Sequence, residues 1–510
     1  MKRTLGPVLV LTAVAAALAA PAAQAREKAP LAWTDCTPEA REGDRPGLRQ
    51  QCADLRVPLD YRAPTGPTIT IRISRVRSLH AGERRGVLMT APIGPGESGL
   101  VQPWNYAHHA LGQEVVKRYD IVGFDMRGVG ASSPITCGLP SSPRPVSRFP
   151  AADGSIGKSV RAARAQAEAC RTRSGPVMPH ITSANAARDL DRIRAALDEP
   201  KISVAAGWNG AYLAVAYDTL FPGRTDRMVL ESAIDPARVW YGMQRLEAPG
   251  VEQGFTDLAR WLAGRHGEYR LGRTPAEVRR TVLGLARELD AEPWRDPQGP
   301  GPGAEPGDTH VTGDNVRYLA AASALHRFYW KDFGPGAPGA GTTLRRYNER
   351  QDTGTAVSRG LAKEAPGDNG FAARQAIECG DVAWPRDISF YQRRVTRDRK
   401  AHPLTGGGPA NITPCAFWHR APAEPVVTAT ARGPRNVLII QPVRDPATPY
   451  ASGLGLKRAL GKRASMLTVD TNDHLVHAFG WSPCATAAAD AYLLTGELPG
   501  TTRCPDPGNP

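Results

Sequence analysis

No Gly-x-Ser-x-Gly pentapeptide and no Cys-x-x-Cys pair occurs anywhere in this 510-residue chain. The first absence removes the usual seat of a serine nucleophile at a strand-to-helix turn. The second argues against a zinc knuckle or a thioredoxin-type redox motif, and neither a metal nor a cofactor is expected. Aromatic residues make up only 6% of the chain and do not interleave with a dense basic run. The formal net charge of +14 therefore does not mark a nucleic-acid surface, because the arginines are spread along the whole length. Past the N-terminus no stretch is apolar and long enough to span a bilayer. No internal repeat is visible.

What is present begins with an export signal. Lys2 and Arg3 form a basic start, residues 5–20 are an apolar run of Leu, Val and Ala, and Ala23-Gln24-Ala25 is a small-residue cleavage site. Residues 1–25 are expected to be removed after Ala25, leaving an exported, soluble chain that is expected to be a monomer. The eight cysteines are an even number in an exported chain, so disulfides are predicted. Their spacing suggests that neighbours pair: Cys36 with Cys52, Cys137 with Cys170, Cys379 with Cys415, and Cys484 with Cys504.

Short apolar runs alternate with helical stretches: TITIRIS (68–74), GVLMTAP (86–92), YDIVGFD (119–125), KISVAA (201–206), RMVLES (227–232), NVLIIQP (436–442) and SMLTVD (465–470). Such runs read as buried, mostly parallel strands of a doubly wound α/β sheet with helices on both faces. Residues 183–197 carry apolar side chains at helical spacing, with Ser183 as a possible cap. The rhythm breaks between residues 240 and 430, where helical sequence surrounds a Gly/Pro stretch at 296–308. The expectation is a sheet domain built from 26–239 and 431–510, with a mainly helical cap at 240–430 inserted between two strands.

Ligands of open α/β sheets bind beyond the carboxyl ends of the strands. At that edge lie the glycine-rich IGPGESGL after GVLMTAP, Asp445 after NVLIIQP, and His474 after SMLTVD. A sharp turn, Ala206-Gly207-Trp208-Asn209-Gly210, follows KISVAA. Elbow, acid, histidine is the chain order of a hydrolase triad.

These segments resemble the secreted tripeptidyl-aminopeptidase-like family of α/β-hydrolases, relatives of the prolyl aminopeptidases. The resemblance covers nearly the whole mature chain, including CADLRVPLDY (52–61), RGVLMTAPIGPGESGL (85–100), YDIVGFDMRGVGASSP (119–134), AARDLDRIRAAL (186–197) and AIECGDVAWP (376–385). It implies an α/β-hydrolase fold, a helical cap, several disulfides, and release of short peptides from free N-termini by a Ser-His-Asp triad. The family's acid falls on Asp445. Its Gly-His-Gly aligns best with Asp473-His474-Leu475, with His477 as the competing histidine.

The nucleophile in the family's Gly-Gly-Ser-Tyr-Gly-Thr falls on Trp208; a shift of one residue would place Asn209 at the apex. Neither an indole nor a carboxamide is an adequate nucleophile for acyl transfer. The oxyanion loop, Ile93 and Gly94 with Asn209, departs too, since Ala91, Ile93 and Glu97 replace the family's Asn, Gly and Gly. Ile93 is expected to crowd that loop, Glu97 to place a negative charge beside it, and Leu475 to disturb the histidine turn. Glu378 and Asp381 are candidate partners for a peptide ammonium. The expected function is an exported, catalytically impaired peptidase fold with a peptide or small molecule under its cap. The alternative is an active exopeptidase or other hydrolase using a non-standard nucleophile or an activated water.

Overall fold

The apolar runs form the middle of one large sheet in the computed structural model. It describes residues 31–38, 45–142, 148–296, 309–331, 339–350 and 365–508. The expected signal segment and its cleavage site at Ala25 lie outside the described residues, as does nearly all of the Gly/Pro stretch. In chain order the strands are β1 (Thr34–Asp35), β2 (Gln50–Pro58), β3 (Thr68–Val76), β4 (Gly86–Thr90), β5 (Tyr119–Phe124) and β6 (Ile202–Gly207). They continue with β7 (Thr225–Glu231), β8 (Trp294–Arg295), β9 (His310–Val311), β10 (Val437–Pro442), β11 (Ala464–Val469) and β12 (Thr502–Cys504). The sheet order is β1-β2-β3-β5-β4-β6-β7-β10-β11-β12, with β8 and β9 paired separately. From β5 to β12 every neighbour is parallel, while β2 and β3 form an antiparallel edge.

Every residue of β6 and β10 is buried because helices cover both faces. Alternate side chains therefore serve two cores. Met89, Val204 and Ile439 enter one, while Leu88, Ala205 and Leu438 enter the other. Each fully buried aliphatic side chain contributes about 1.5–3 kcal/mol, and this burial is what holds the layers together. The short edge strand β12 is tied by the Cys484–Cys504 bridge, and β1 is tied to β2 by Cys36–Cys52. The remaining bridges are Cys137–Cys170 and Cys379–Cys415. The strand reading from sequence omits β2, whose Asp54 and Arg56 interrupt the apolar pattern. The helix Ser183–Ala196 is capped one residue earlier than expected, by the Thr182 hydroxyl, which accepts from the Asn185 N–H.

Between β7 and β10 the chain leaves the sheet. Helices Tyr241–Ala263, Pro275–Ala291, Gly313–Leu325 and Ala340–Glu349 share a core of their own through Leu258, Val282, Leu319 and Leu344. The helix Asn369–Asp381 then packs back on the loop after β4, where Gly96 lies so close to the Gly370 carbonyl that a Cβ would stand 2.2 Å from it. Among the described residues no helix is long and apolar enough to cross a membrane.

The loop after β5 is anchored by a fully buried ion pair. The Arg127 guanidinium donates to both Asp189 carboxylate oxygens at 2.6 and 2.7 Å, and to the carbonyls of Pro58, Leu59 and His180. Removing one partner strands the other charge, so Arg127→Met should cost about 3–5 kcal/mol. A shift of the urea midpoint measures it, and a change below about 1 kcal/mol would show that water reaches Asp189.

Candidate active site

The loop after β6 turns sharply because its flanking glycines allow close approach. A Cβ at Gly207 would meet Leu475 Cδ2 at 2.2 Å, and one at Gly210 would meet Ala91 Cβ at 2.9 Å. Between them Trp208 takes φ 46° and ψ −113°, a strained conformation for a bulky residue, and the helix Asn209–Leu220 starts immediately after. Trp208 is therefore the apex. Asn209, the shifted alternative, is the first helical residue, fully buried, with its amide nitrogen 3.6 Å from Met126 Sδ.

Asp445 follows β10 and His474 follows β11, and the fold brings them together. His474 Nδ1 lies 2.9 and 3.1 Å from the two Asp445 carboxylate oxygens. The carboxylate also accepts the Ala447 and Thr448 N–H groups, both at 2.9 Å, and the Thr448 hydroxyl at 2.8 Å. Burial raises the Asp445 pKa, but the facing His474 and these hydrogen bonds more than offset it, leaving it below the ordinary carboxylate range. His477 is not an alternative partner: it packs against Tyr106, and burial pushes its imidazole down to about 4. Leu475 holds its place in the turn in a left-handed conformation that a bulky residue rarely adopts. It adopts φ 65°, buries its side chain against Gly207, and donates its N–H to the Ser232 hydroxyl at 3.1 Å.

A carboxylate on one imidazole nitrogen leaves the other nitrogen available for proton transfer. Here His474 Nε2 is buried and makes no hydrogen bond to a described residue. The Trp208 indole stands edge-on to the imidazole, with ring centres 5.7 Å apart at 81°. The volume in which a nucleophile hydroxyl would stand is filled by an aromatic ring.

The oxyanion loop is closed by a peptide plane rather than by a side chain. The Asn209 N–H donates 3.0 Å to the Ile93 carbonyl. In a trans peptide the carbonyl and the following N–H point in opposite directions, so the Gly94 N–H is turned away from the elbow. It donates 3.1 Å to the Glu97 carboxylate instead. Both expected donors are thus already engaged. Ile93 contributes its carbonyl rather than side-chain crowding, and the Glu97 carboxylate lies beside the loop as expected, where it accepts the Gly94 N–H.

The helical region between β7 and β10 is docked on the histidine turn. The His474 N–H donates to the Leu325 carbonyl at 3.0 Å, and the Asn472 amide to the Ala324 carbonyl at 3.1 Å. Arg327 joins its backbone N–H and Nε to Asp473, each at 2.7 Å. Beside this contact is a cavity of about 230 Å³, to which Trp208, Trp240, Gln244, Glu247, Arg374 and Glu378 contribute. His474 does not line it. Asp381 does not either: it accepts the Ser183 N–H at 2.9 Å and the Trp240 indole N–H at 2.8 Å, so it supports the wall from behind.

A sequence profile of the family described as TAP-like protein matches residues 406–504, which include both Asp445 and His474. A tripeptidyl aminopeptidase of Streptomyces lividans is 33% identical over 94% of this chain and 87% of its own length. The chain belongs to the tripeptidyl aminopeptidase-like family of α/β-hydrolases. A serine protease Hip1 of Mycobacterium tuberculosis is 28% identical, over 92% of this chain and 90% of that protein. A carboxylesterase B of the same organism is 29% identical, over 89% and 86%.

In this member of the tripeptidyl aminopeptidase-like family, sequence reasoning misses one charged group at the site, Glu231. It ends the apolar strand β7, and an acidic residue closing such a strand is the signal that was available. Its carbonyl accepts the Trp208 N–H at 3.0 Å, and its carboxylate accepts the N–H groups of His477 and Ala478 at 2.6 and 2.9 Å. Complete burial pushes it up to about 7 despite those two bonds. A carboxyl whose pKa is raised on folding binds its proton more tightly in the native state, so its contribution declines as pH rises from 4.5 to about 7. Burial moves His326 and His477 the other way, down to about 3 and about 4, so they lower stability as pH falls below 6.5. Glu231→Gln removes only the first effect. Chemical denaturation across pH should show that this variant fares better, relative to the parent protein, above neutrality than in mild acid. An unchanged difference would mean that Glu231 is ionised throughout.

Proposed function

We propose that this chain is an exported, catalytically silent relative of the tripeptidyl aminopeptidases that retains a peptide-class ligand beneath its cap. The observation that carries the reading is the Trp208 indole at the elbow apex, edge-on to the imidazole of His474. Acyl transfer needs a nucleophile in contact with its base and donors aimed at the developing oxyanion. The first is replaced by an aromatic ring, and the expected donors bond to Ile93 and Glu97. The four disulfides and the N-terminal signal pattern support export, with cleavage after Ala25.

The intact Asp445–His474 pair supports a second reading, in which the imidazole activates a water. Against it, His474 Nε2 is buried and His474 does not line the cavity. Purified protein should therefore neither label with a fluorophosphonate probe nor turn over N-terminally free tripeptide amides. Turnover that His474→Ala abolishes would establish the second reading instead.

Trp208→Ser should restore a hydroxyl beside His474 at a cost of up to about 3–5 kcal/mol from the lost ring, with weak labelling at most. Adding Glu97→Gly frees the Gly94 N–H to rotate toward the elbow. One oxyanion donor is worth about 10²–10³ in kcat, so the double variant should exceed the single one by a factor of that order. Equal rates in two well-folded variants would show that the Ile93–Gly94 peptide does not limit catalysis.

A further inference from the structure

The cavity under the cap holds more chemistry than a spent peptidase cleft requires. Two ion pairs lie in its wall. Arg374 Nε donates 2.8 Å to the Glu378 carboxylate, and the Arg148 guanidinium donates to Glu247. Glu378 is nearly buried, at 9% side-chain exposure, whereas Arg374 and Arg148 remain open at 46% and 41%. Among the described residues neither terminal nitrogen of Arg374 makes a hydrogen bond, so its fork retains capacity for an acceptor.

Two further polar groups belong to residues of the lining. The indole Nε1–H of Trp208 is a buried donor and the side-chain oxygen of Gln244 a buried acceptor, and neither is bonded to a described residue. Buried polar groups are normally satisfied, and an orphan donor and orphan acceptor on two residues of one cavity wall match the carbonyl and N–H of an amide bond. Trp384, Phe149, Tyr318 and Met243 supply an apolar wall. A cavity of about 150 Å³ holds benzene, so the 230 Å³ here accommodates one apolar side chain and a short stretch of backbone.

We infer that the cavity takes a free dipeptide as a zwitterion, its ammonium on Glu247 and Glu378, its carboxylate on Arg374 and Arg148, and its amide bond between Trp208 and Gln244. The inference rests on the reading of the chain as non-catalytic. A substrate of a peptide-releasing enzyme must continue past the elbow toward the histidine; here the indole closes that direction, and arginines stand ready for a terminal carboxylate. The ligand is thus defined by having both ends free.

Isothermal titration of the mature protein with Ala-Phe, Ala-Phe amide, N-acetyl-Ala-Phe and the tetrapeptide Ala-Phe-Ala-Phe tests this, with mass analysis of each peptide afterwards. Ala-Phe should bind one to one and be recovered intact. Blocking either end should weaken binding by about tenfold or more, the factor carried by one charge-assisted hydrogen bond. Arg374→Gln, or separately Arg148→Gln, should reduce the preference for acid over amide while keeping the preference for a free amine. Glu378→Gln should do the reverse. Equal affinity for Ala-Phe and its amide, tighter binding of the tetrapeptide, or no binding of any of the four overturns the dipeptide inference. Cleavage of the tetrapeptide would instead overturn the non-catalytic reading, so the two failures are distinct.

Discussion

The close approach of backbones around the turn after β6 is the constraint on which the rest depends. Gly207 and Gly210 have no room for a Cβ, because Leu475 stands against one and Ala91 against the other. That contact brings the loops after β4, β6 and β11 to one point at the carboxyl edge of the sheet, where an open α/β sheet receives its ligands. Trp208 at the apex is thereby brought to His474, with its indole edge-on to the imidazole.

Around this point, polar groups that a hydrolase would hold ready for a transition state are bonded to each other. The Asn209 N–H meets the Ile93 carbonyl, the Gly94 N–H meets Glu97, and the histidine turn is fastened to the cap through Leu325 and Arg327. Preorganised donors assist catalysis because they wait unpaired for a developing charge. Under the proposed reading these groups have exchanged that readiness for rigidity. Besides His474 Nε2, two groups on residues of the cavity wall, Trp208 Nε1 and the Gln244 side-chain oxygen, make no hydrogen bond to a described residue. Under the proposed reading they serve a ligand held in the cavity.

Most of the strand positions were legible because parallel strands buried on both faces are uninterrupted apolar runs. β2 was not, since a strand near the sheet edge, covered only by the short β1, carries exposed Asp54 and Arg56 in its middle. At the site, Trp208, Asp445 and His474 were legible from chain order and family resemblance. The choice of His474 over His477 and of Trp208 over Asn209 was left to the fold, because neighbouring residues differ only in which way the backbone turns. Asp381 was misjudged for a similar reason: a helical carboxylate close in sequence to Glu378 points through a different face, to Ser183 and Trp240. Glu231 was invisible as a functional group because its pKa depends on burial.

By itself the sequence carried the family resemblance in its motifs, suggested that neighbouring cysteines pair, and showed that no serine stands at the elbow, since motifs, spacing and residue type are all read along the chain. Only the tertiary structure decided that the indole stands edge-on to the imidazole, that the Ile93–Gly94 peptide faces the elbow with its carbonyl, and that four charged side chains line one cavity. Each of these depends on the direction of a backbone plane or side chain relative to segments far away in sequence, and direction is set by packing.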